Sequence, residues 1–197
     1  GIGFAAKYRN TKNICITFLG DGAMNQGQVY ESFNMAALWE LPVLYIIENN
    51  EYSMGTSVAR SSFITDLYKK GESFGIEGSQ VDGMDLFKVY DTVKELSSRV
   101  RKTSKPLLLE VKTYRYKGHS MSDPGKYRTK EEVEKHKIED PIKHIKSFIL
   151  SNKIASDDQI KAIEDKVKSV MLEAVDFGEN SAKPGIHNLT TDIYIDS

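Results

Sequence analysis

Residues 13–50 read NICITFLGDGAMNQGQVYESFNMAALWELPVLYIIENN, and their periodicity decides the fold. Ile14 to Leu19 form a continuous apolar run that stops at Gly20-Asp21-Gly22, as a strand covered on both faces would. Asn25 followed by Gln28 has the form of a capping box, and Val29, Phe33, Ala36 and Ala37 recur at helical spacing. A helix over about Gln26–Glu40 is predicted, closed by Pro42. A second apolar run, Val43–Ile47, then ends in Glu48-Asn49-Asn50. Strand-helix-strand units of this kind close right-handed with their strands parallel. Both polar clusters therefore fall at strand carboxyl ends, the edge at which open α/β sheets bind ligands, and topology alone brings Asp21 and Asn50 to one crevice.

An aspartate between glycines at a strand end turns the chain sharply and projects a carboxylate, while the helix start that follows attracts a phosphate. The triplet alone is also an ordinary turn. With Asn50 at the next strand end it forms an oxygen pair. Magnesium takes octahedral oxygen ligands and keeps water or phosphate among them, so a carboxylate, a side-chain amide and a backbone carbonyl just after Asn50 are a typical protein share. Asn49 and Asn50 as simple turn residues remain the alternative, which leaves Asp21 without a partner.

Further along, the Gly- and Ser-rich stretch 51–80 reads as a long loop with a short helix near Thr65–Lys70. Asp82-Gly83 makes a turn, Asp85 caps a helix to about Lys102, and Pro106 opens a third strand, Leu107–Tyr114. The polar segment Lys117–Arg128 has no apolar period and is expected to be a mobile loop that orders on binding its ligands. Thr129 with Glu132, Asp140 with Pro141, and Ser156 with Gln159 then start three helices. The last carries a stripe of Ile160, Ile163, Val167, Val170, Met171 and Ala174, with Gly178 placed to end it and an extended tail from Asn180. The expected fold class is α/β, a parallel sheet with helices on both faces and a helical carboxyl-terminal extension. The expected domains are residues 1–128 for the α/β region and 129–197 for the extension, packed on the same domain.

Composition narrows the partners. The 197 residues are 40% hydrophobic and 28% charged, enough for one ordinary core. Lys and Arg total 27 against 28 for Asp and Glu, so no global field draws nucleic acid or an anionic membrane. No apolar run approaches the roughly 18 residues of a membrane span. The single cysteine, Cys15, excludes an internal disulfide and fits a reducing compartment as a small core residue. The start, Gly-Ile-Gly-Phe-Ala-Ala-Lys-Tyr, resembles the end of a buried helix and suggests an upstream portion.

Residues 20–57, GDGAMNQGQVYESFNMAALWELPVLYIIENNEYSMGTS, resemble the thiamine-diphosphate motif of pyruvate dehydrogenase alpha subunits. Residues 113–132, TYRYKGHSMSDPGKYRTKEE, resemble the active-site phosphorylation loop of the same family, the thiamine-diphosphate-dependent 2-oxo-acid dehydrogenases. The resemblance implies that Asp21, Asn50 and the Tyr52 carbonyl hold magnesium and that Gly22 and Ala23 contact the diphosphate. It also implies that His119 approaches the diphosphate at the active-site entrance; read locally, His119 is a loop histidine with nothing to set its tautomer.

Ser120 and Ser57 match positions phosphorylated in mitochondrial members, whereas Lys126 stands where a Val-Ser pair is expected, which fits a bacterial or divergent mitochondrial protein and questions kinase control. The implied activity is oxidative decarboxylation of pyruvate with acetyl transfer to a lipoyl group. It requires a beta subunit in an alpha2-beta2 heterotetramer and a lipoyl-bearing acetyltransferase component, in the bacterial cytoplasm or mitochondrial matrix. Branched-chain 2-oxo-acid and acetoin dehydrogenase alpha subunits are the near alternatives, disfavoured by the wording at 54–57 and 118–124. A non-catalytic assembly module is the distant one, disfavoured by the intact Asp21 and Asn50.

Overall fold

A computed structural model describes residues 1–194. In chain order its elements begin with α1 (Ile2–Tyr8), β1 (Cys15–Gly20), α2 (Gly27–Leu38) and β2 (Val43–Asn49). A small hairpin of β3 (Tyr52–Ser53) and β4 (Thr56–Ser57) follows, then α3 (Val58–Ser61), β5 (Glu77–Asp82), α4 (Leu86–Thr103) and β6 (Leu107–Lys112). The chain continues with α5 (Lys130–Ile138), α6 (Pro141–Ser151) and α7 (Asp157–Asn180). Gly1–Ile145 and Lys146–Ser197 form two compact units.

In the first unit four parallel strands are ordered β1-β2-β6-β5. Strand β2 is central and buried along nearly its whole length. Side chains alternate across a strand, so its two sets of residues serve two cores. Val43, Tyr45 and Ile47 join Met24, Phe33, Ala36 and Leu67 on one face, beneath α2. Leu44 and Ile46 join Leu96, Val100 and Leu109 on the other, beneath α4. The α/β class with helices on both faces is thus the architecture, and the carboxyl ends of β1, β2 and β6 meet at one edge.

Several local expectations are corrected. The stretch read as loop contains β5, which pairs with β6 at the sheet edge. Its sequence, EGSQVD, is polar and buries only Val81, so apolar periodicity does not mark it; β1, the other edge strand, is apolar but alternates half-buried with exposed residues instead of being covered on both faces. Asn25 is not the cap of α2. It ends a 3-10 turn over Ala23–Asn25, Gln26 stands at the cap without a side-chain bond, and the Asn25 Oδ1 accepts instead from Ser62 and Lys70. The third strand stops at Lys112 rather than Tyr114. Asp85, Thr129 and Ser156 do cap their helices through side-chain oxygens.

The second unit is helical. Lys146 pairs with Glu164 at 3.0 Å, and α7 starts with a complete capping box of Ser156 and Gln159. Helix α7 runs through Gly178 to Asn180, and the tail beyond it includes a 3-10 turn at Ile186–Leu189. Ile163, Val167, Val170 and Met171 on its apolar stripe are exposed in the described chain.

Candidate functional site

Asp21 sits one residue beyond the end of β1 and is only 4% exposed. Burial pushes its carboxyl above the usual aspartate value; its own backbone N–H, the Arg115 guanidinium and the Asn50 N–H pull it down, while the nearby Glu51 adds to the rise. Asn50 follows the last residue of β2 directly. Topology has therefore brought the two predicted oxygen donors together, as the strand-helix-strand reading required. Asp21 Oδ2 and Asn50 Oδ1 are both buried, and neither has a hydrogen-bond partner among the described residues. Buried polar atoms are normally satisfied, since an unpaired one costs about 1–3 kcal/mol. Two orphaned buried oxygens at the shared carboxyl edge of neighbouring strands are of the kind an oxygen-seeking cation takes up.

The Tyr52 carbonyl, the third predicted donor, accepts from Arg115 Nη1 at 3.1 Å. A carbonyl oxygen has two lone pairs, so this bond leaves one for another partner. Gly22 packs against the hairpin so closely that a Cβ there would fall on the Ser53 hydroxyl. Only glycine permits that approach, which keeps the Asp21 turn against the Tyr52 strand. Gly22 and Ala23 open the 3-10 turn ahead of α2 and are partly exposed.

The turn joining Asn50 to Tyr52 is strained, because Glu51 adopts φ 74°. Its backbone is held from several sides. Asn49 Oδ1 accepts from the Glu51 N–H at 3.0 Å, the Glu51 carbonyl accepts from Val58 N–H at 3.1 Å, and the Glu51 carboxylate pairs with Lys112 at 2.7 Å. The Tyr52 side chain is anchored too. Its hydroxyl and that of Tyr114 both donate to Glu132 Oε1, at 3.0 and 2.8 Å. Burial first, and the Glu132 carboxylate second, push the Tyr114 phenol up to about 12, so it remains a donor throughout the neutral range.

The segment Lys117–Arg128 is pinned by its own polar groups. Asp123 accepts from the His119 N–H at 2.7 Å, the Gly125 N–H at 2.8 Å and the Tyr127 hydroxyl at 2.9 Å. These donors hold the Asp123 carboxyl below its usual value, the His119 amide most of all. Arg115 ties the segment to the hairpin, donating to the carbonyls of Tyr52, Met54 and Lys117 and to the Tyr127 hydroxyl. Arg128 holds the carbonyls of Arg115 and Tyr116. The His119 imidazole and Ser120 are exposed, with the Ser120 hydroxyl 3.1 Å from that of Ser122. Ser57 stands half-buried at the start of α3.

Arg115, Asp123 and Glu110 carry no individual site role in the sequence reading, and Glu132 enters it only beside Thr129 as a helix start. Only Glu110 carried a signal, as a lone charge in the apolar strand LLLEVK. The others are polar residues in polar surroundings whose partners lie far along the chain. Among the described residues no helix is long and apolar enough to cross a membrane, and no group of three or more His, Cys, Asp or Glu is placed to hold a metal. The oxygen set above is of another kind, with one carboxylate, one amide and one carbonyl.

Residues 1–187 match the family profile described as dehydrogenase E1 component. The chain is 65% identical over 195 residues to the pyruvate dehydrogenase E1 component subunit alpha of Rickettsia bellii, covering 99% of this chain and 60% of that protein. It is 49% identical to the protein of that name from Rhizobium meliloti, over 99% of this chain and 56% of that one. It is 48% identical to the mitochondrial pyruvate dehydrogenase E1 component subunit alpha of Dictyostelium discoideum, over 99% and 52%. The chain spans between about half and 60% of the length of these relatives.

Proposed function

The chain belongs to the dehydrogenase E1 component family, and from that membership and the site geometry we propose that it is the cofactor-anchoring part of a pyruvate dehydrogenase alpha subunit. The observation that carries the reading is the pair of orphaned buried oxygens, Asp21 Oδ2 and Asn50 Oδ1, at the shared carboxyl edge of β1 and β2. With the free lone pair of the Tyr52 carbonyl they would hold magnesium, leaving it able to bind diphosphate and water oxygens. Gly22 and Ala23 would meet the diphosphate at the start of the helical segment. When bound, thiamine diphosphate supplies the carbon nucleophile and electron sink for decarboxylation of a 2-oxo acid, here proposed to be pyruvate.

The residues of this chain serve binding and orientation. Asp21 contributes a carboxylate that burial has already stripped of water, so a cation gains more from it than from an exposed one. Arg115 and Glu132 fix the hairpin that presents the Tyr52 carbonyl. The His119 imidazole, on a loop held by Asp123, would reach the diphosphate and donate a charge-assisted hydrogen bond. Residues 1–128 would anchor the cofactor, with 129–197 as a helical extension. Completion of the site would need a beta subunit in a heterotetramer, and the acetyl product would pass to a lipoyl-bearing component. Relatives with bacterial and mitochondrial names fit a bacterial cytoplasm or mitochondrial matrix.

Calorimetric titration of the full-length protein with its beta subunit, using magnesium and thiamine diphosphate, tests this reading. Asp21→Ala and Asn50→Ala should each remove cofactor binding while the fold persists. Equal loss of folding stability in both variants without a selective binding defect would return these residues to the status of structural turns.

A further inference from the structure

Glu110 lies near the middle of β6, is fully buried, and pairs with no lysine or arginine among the described residues. Taking a carboxylate out of water without a counter-cation is costly unless hydrogen bonds satisfy it. Three donors do so. Asn49 Nδ2 reaches Oε1 at 2.6 Å, while the Tyr68 N–H and Gln80 Nε2 reach Oε2 at 3.2 and 3.1 Å. A strand position flanked by leucine and valine could have carried another aliphatic residue at no such cost, and the partner on Oε1 supplies the reason for the charge.

A carboxylate offers only acceptors, so the Asn49 side chain must turn its NH2 toward Glu110 and its oxygen the other way. That oxygen accepts from the Glu51 N–H at 3.0 Å. Glu51 is the left-handed residue, φ 74°, between Asn50 and Tyr52. Such a conformation in a non-glycine residue persists only when its surroundings over-determine it. We propose that Glu110 is a positioning residue for the metal centre: through the Asn49 amide it holds the strained Glu51 turn, and with it the directions of the Asn50 side chain and the Tyr52 carbonyl. This rests on the reading of Asp21, Asn50 and Tyr52 as cation ligands.

The test uses the full-length protein assembled with its partner subunit and Mn2+ as a spectroscopic stand-in for magnesium, with free Mn2+ read by electron paramagnetic resonance. Glu110→Gln keeps one acceptor oxygen, which satisfies both Tyr68 N–H and Gln80 Nε2 when it takes the Oε2 position, so that its NH2 meets the Asn49 NH2; it should weaken Mn2+ binding about 10- to 100-fold, the usual effect of losing an outer-shell partner. Asn49→Asp, which sets two carboxylates face to face, should do the same. The double variant Asn49→Asp with Glu110→Gln reverses the donor and acceptor, leaves the carboxylate at position 49 able to accept from the Glu51 N–H, and should restore most of the affinity. Gln80→Met removes a donor on the side away from the turn, and should lower the melting temperature without changing Mn2+ affinity.

Unchanged Mn2+ binding in Glu110→Gln, with Asp21→Ala abolishing it, would overturn the positioning role and leave the metal reading standing. A double variant no better than its parents would also overturn it. Undiminished Mn2+ binding in Asp21→Ala would overturn both. Should Glu110→Gln not fold, Asn49→Ser leaves Glu110 its other two donors and carries the same expectation of weaker Mn2+ binding.

Discussion

Replacing Asp21 by asparagine should make the cofactor-free protein more stable at neutral pH while removing its response to magnesium. The carboxylate is 4% exposed, one of its oxygens has no partner among the described residues, and burial outweighs the favourable groups around it. An unsatisfied buried polar group costs about 1–3 kcal/mol, and more when charged. Asparagine keeps the shape and removes the charge but leaves an amide still short of partners, so the expected gain is about 1–2 kcal/mol. At about 2–4 °C per kcal/mol for a domain of 150–250 residues, the melting temperature should rise by several degrees.

The pH dependence fixes the sign. A carboxyl whose folded value lies above its unfolded value of 3.8 binds more protons when folded, so its penalty is absent below 3.8 and grows as pH rises through the folded value. The advantage of Asp21→Asn should be full at neutral pH and vanish on acidification toward 3.8. Added magnesium and thiamine diphosphate should then reverse the order. A ligand at 100 times its Kd stabilises the wild type by about 2.7 kcal/mol and a non-binding variant not at all. Differential scanning fluorimetry of the full-length protein and the variant, across pH and with and without cofactor, measures each part. A variant less stable than wild type at neutral pH without magnesium would refute the account of Asp21 as an uncompensated charge, and an equal response to cofactor would refute its role as a ligand.

Other outcomes follow from the same network. Glu132→Ala strands the hydroxyls of Tyr52 and Tyr114, and should cost about 1–3 kcal/mol in denaturant unfolding; spectrophotometric titration should find the Tyr114 phenol lower than about 12 once the carboxylate is gone. Asp123→Ala releases the His119 and Gly125 amides together with the Tyr127 hydroxyl, so trypsin should cut faster after Lys117, Lys126 and Arg128. In the wild type that protection should be flat from about pH 5 to 8, because a depressed carboxyl contributes above its unfolded value of 3.8 and is lost only as pH falls through a still lower one. Partner subunit, magnesium and cofactor should suppress cleavage further. Gly22→Ala should displace the Ser53 hairpin and cost about 1–3 kcal/mol as overpacking, visible as a lower melting temperature together with weaker cofactor binding.

Much of the fold was legible because its determinants are local. The apolar runs before Asp21 and Asn50, the helical spacing between them, and the caps at Asp85, Thr129 and Ser156 each declare themselves within a few residues, and chain handedness then brings the two strand ends together. The proximity of Asp21 and Asn50 needed no more than that. Strand β5 is not legible because its own sequence, EGSQVD, carries no apolar alternation, and the capping reading of Asn25 fails because its oxygen is taken by Ser62 and Lys70 from a distant segment rather than by the helix it precedes. Only the tertiary structure could show that Glu110 bonds Asn49, that Arg115 reaches back to the Tyr52 carbonyl, or that Glu132 gathers Tyr52 and Tyr114. The physical reason is that a helix or strand is set by residues near one another in the chain, whereas a buried polar group takes its orientation from whichever partner the folded chain delivers, sixty or eighty residues away in the cases of Glu110 and Glu132.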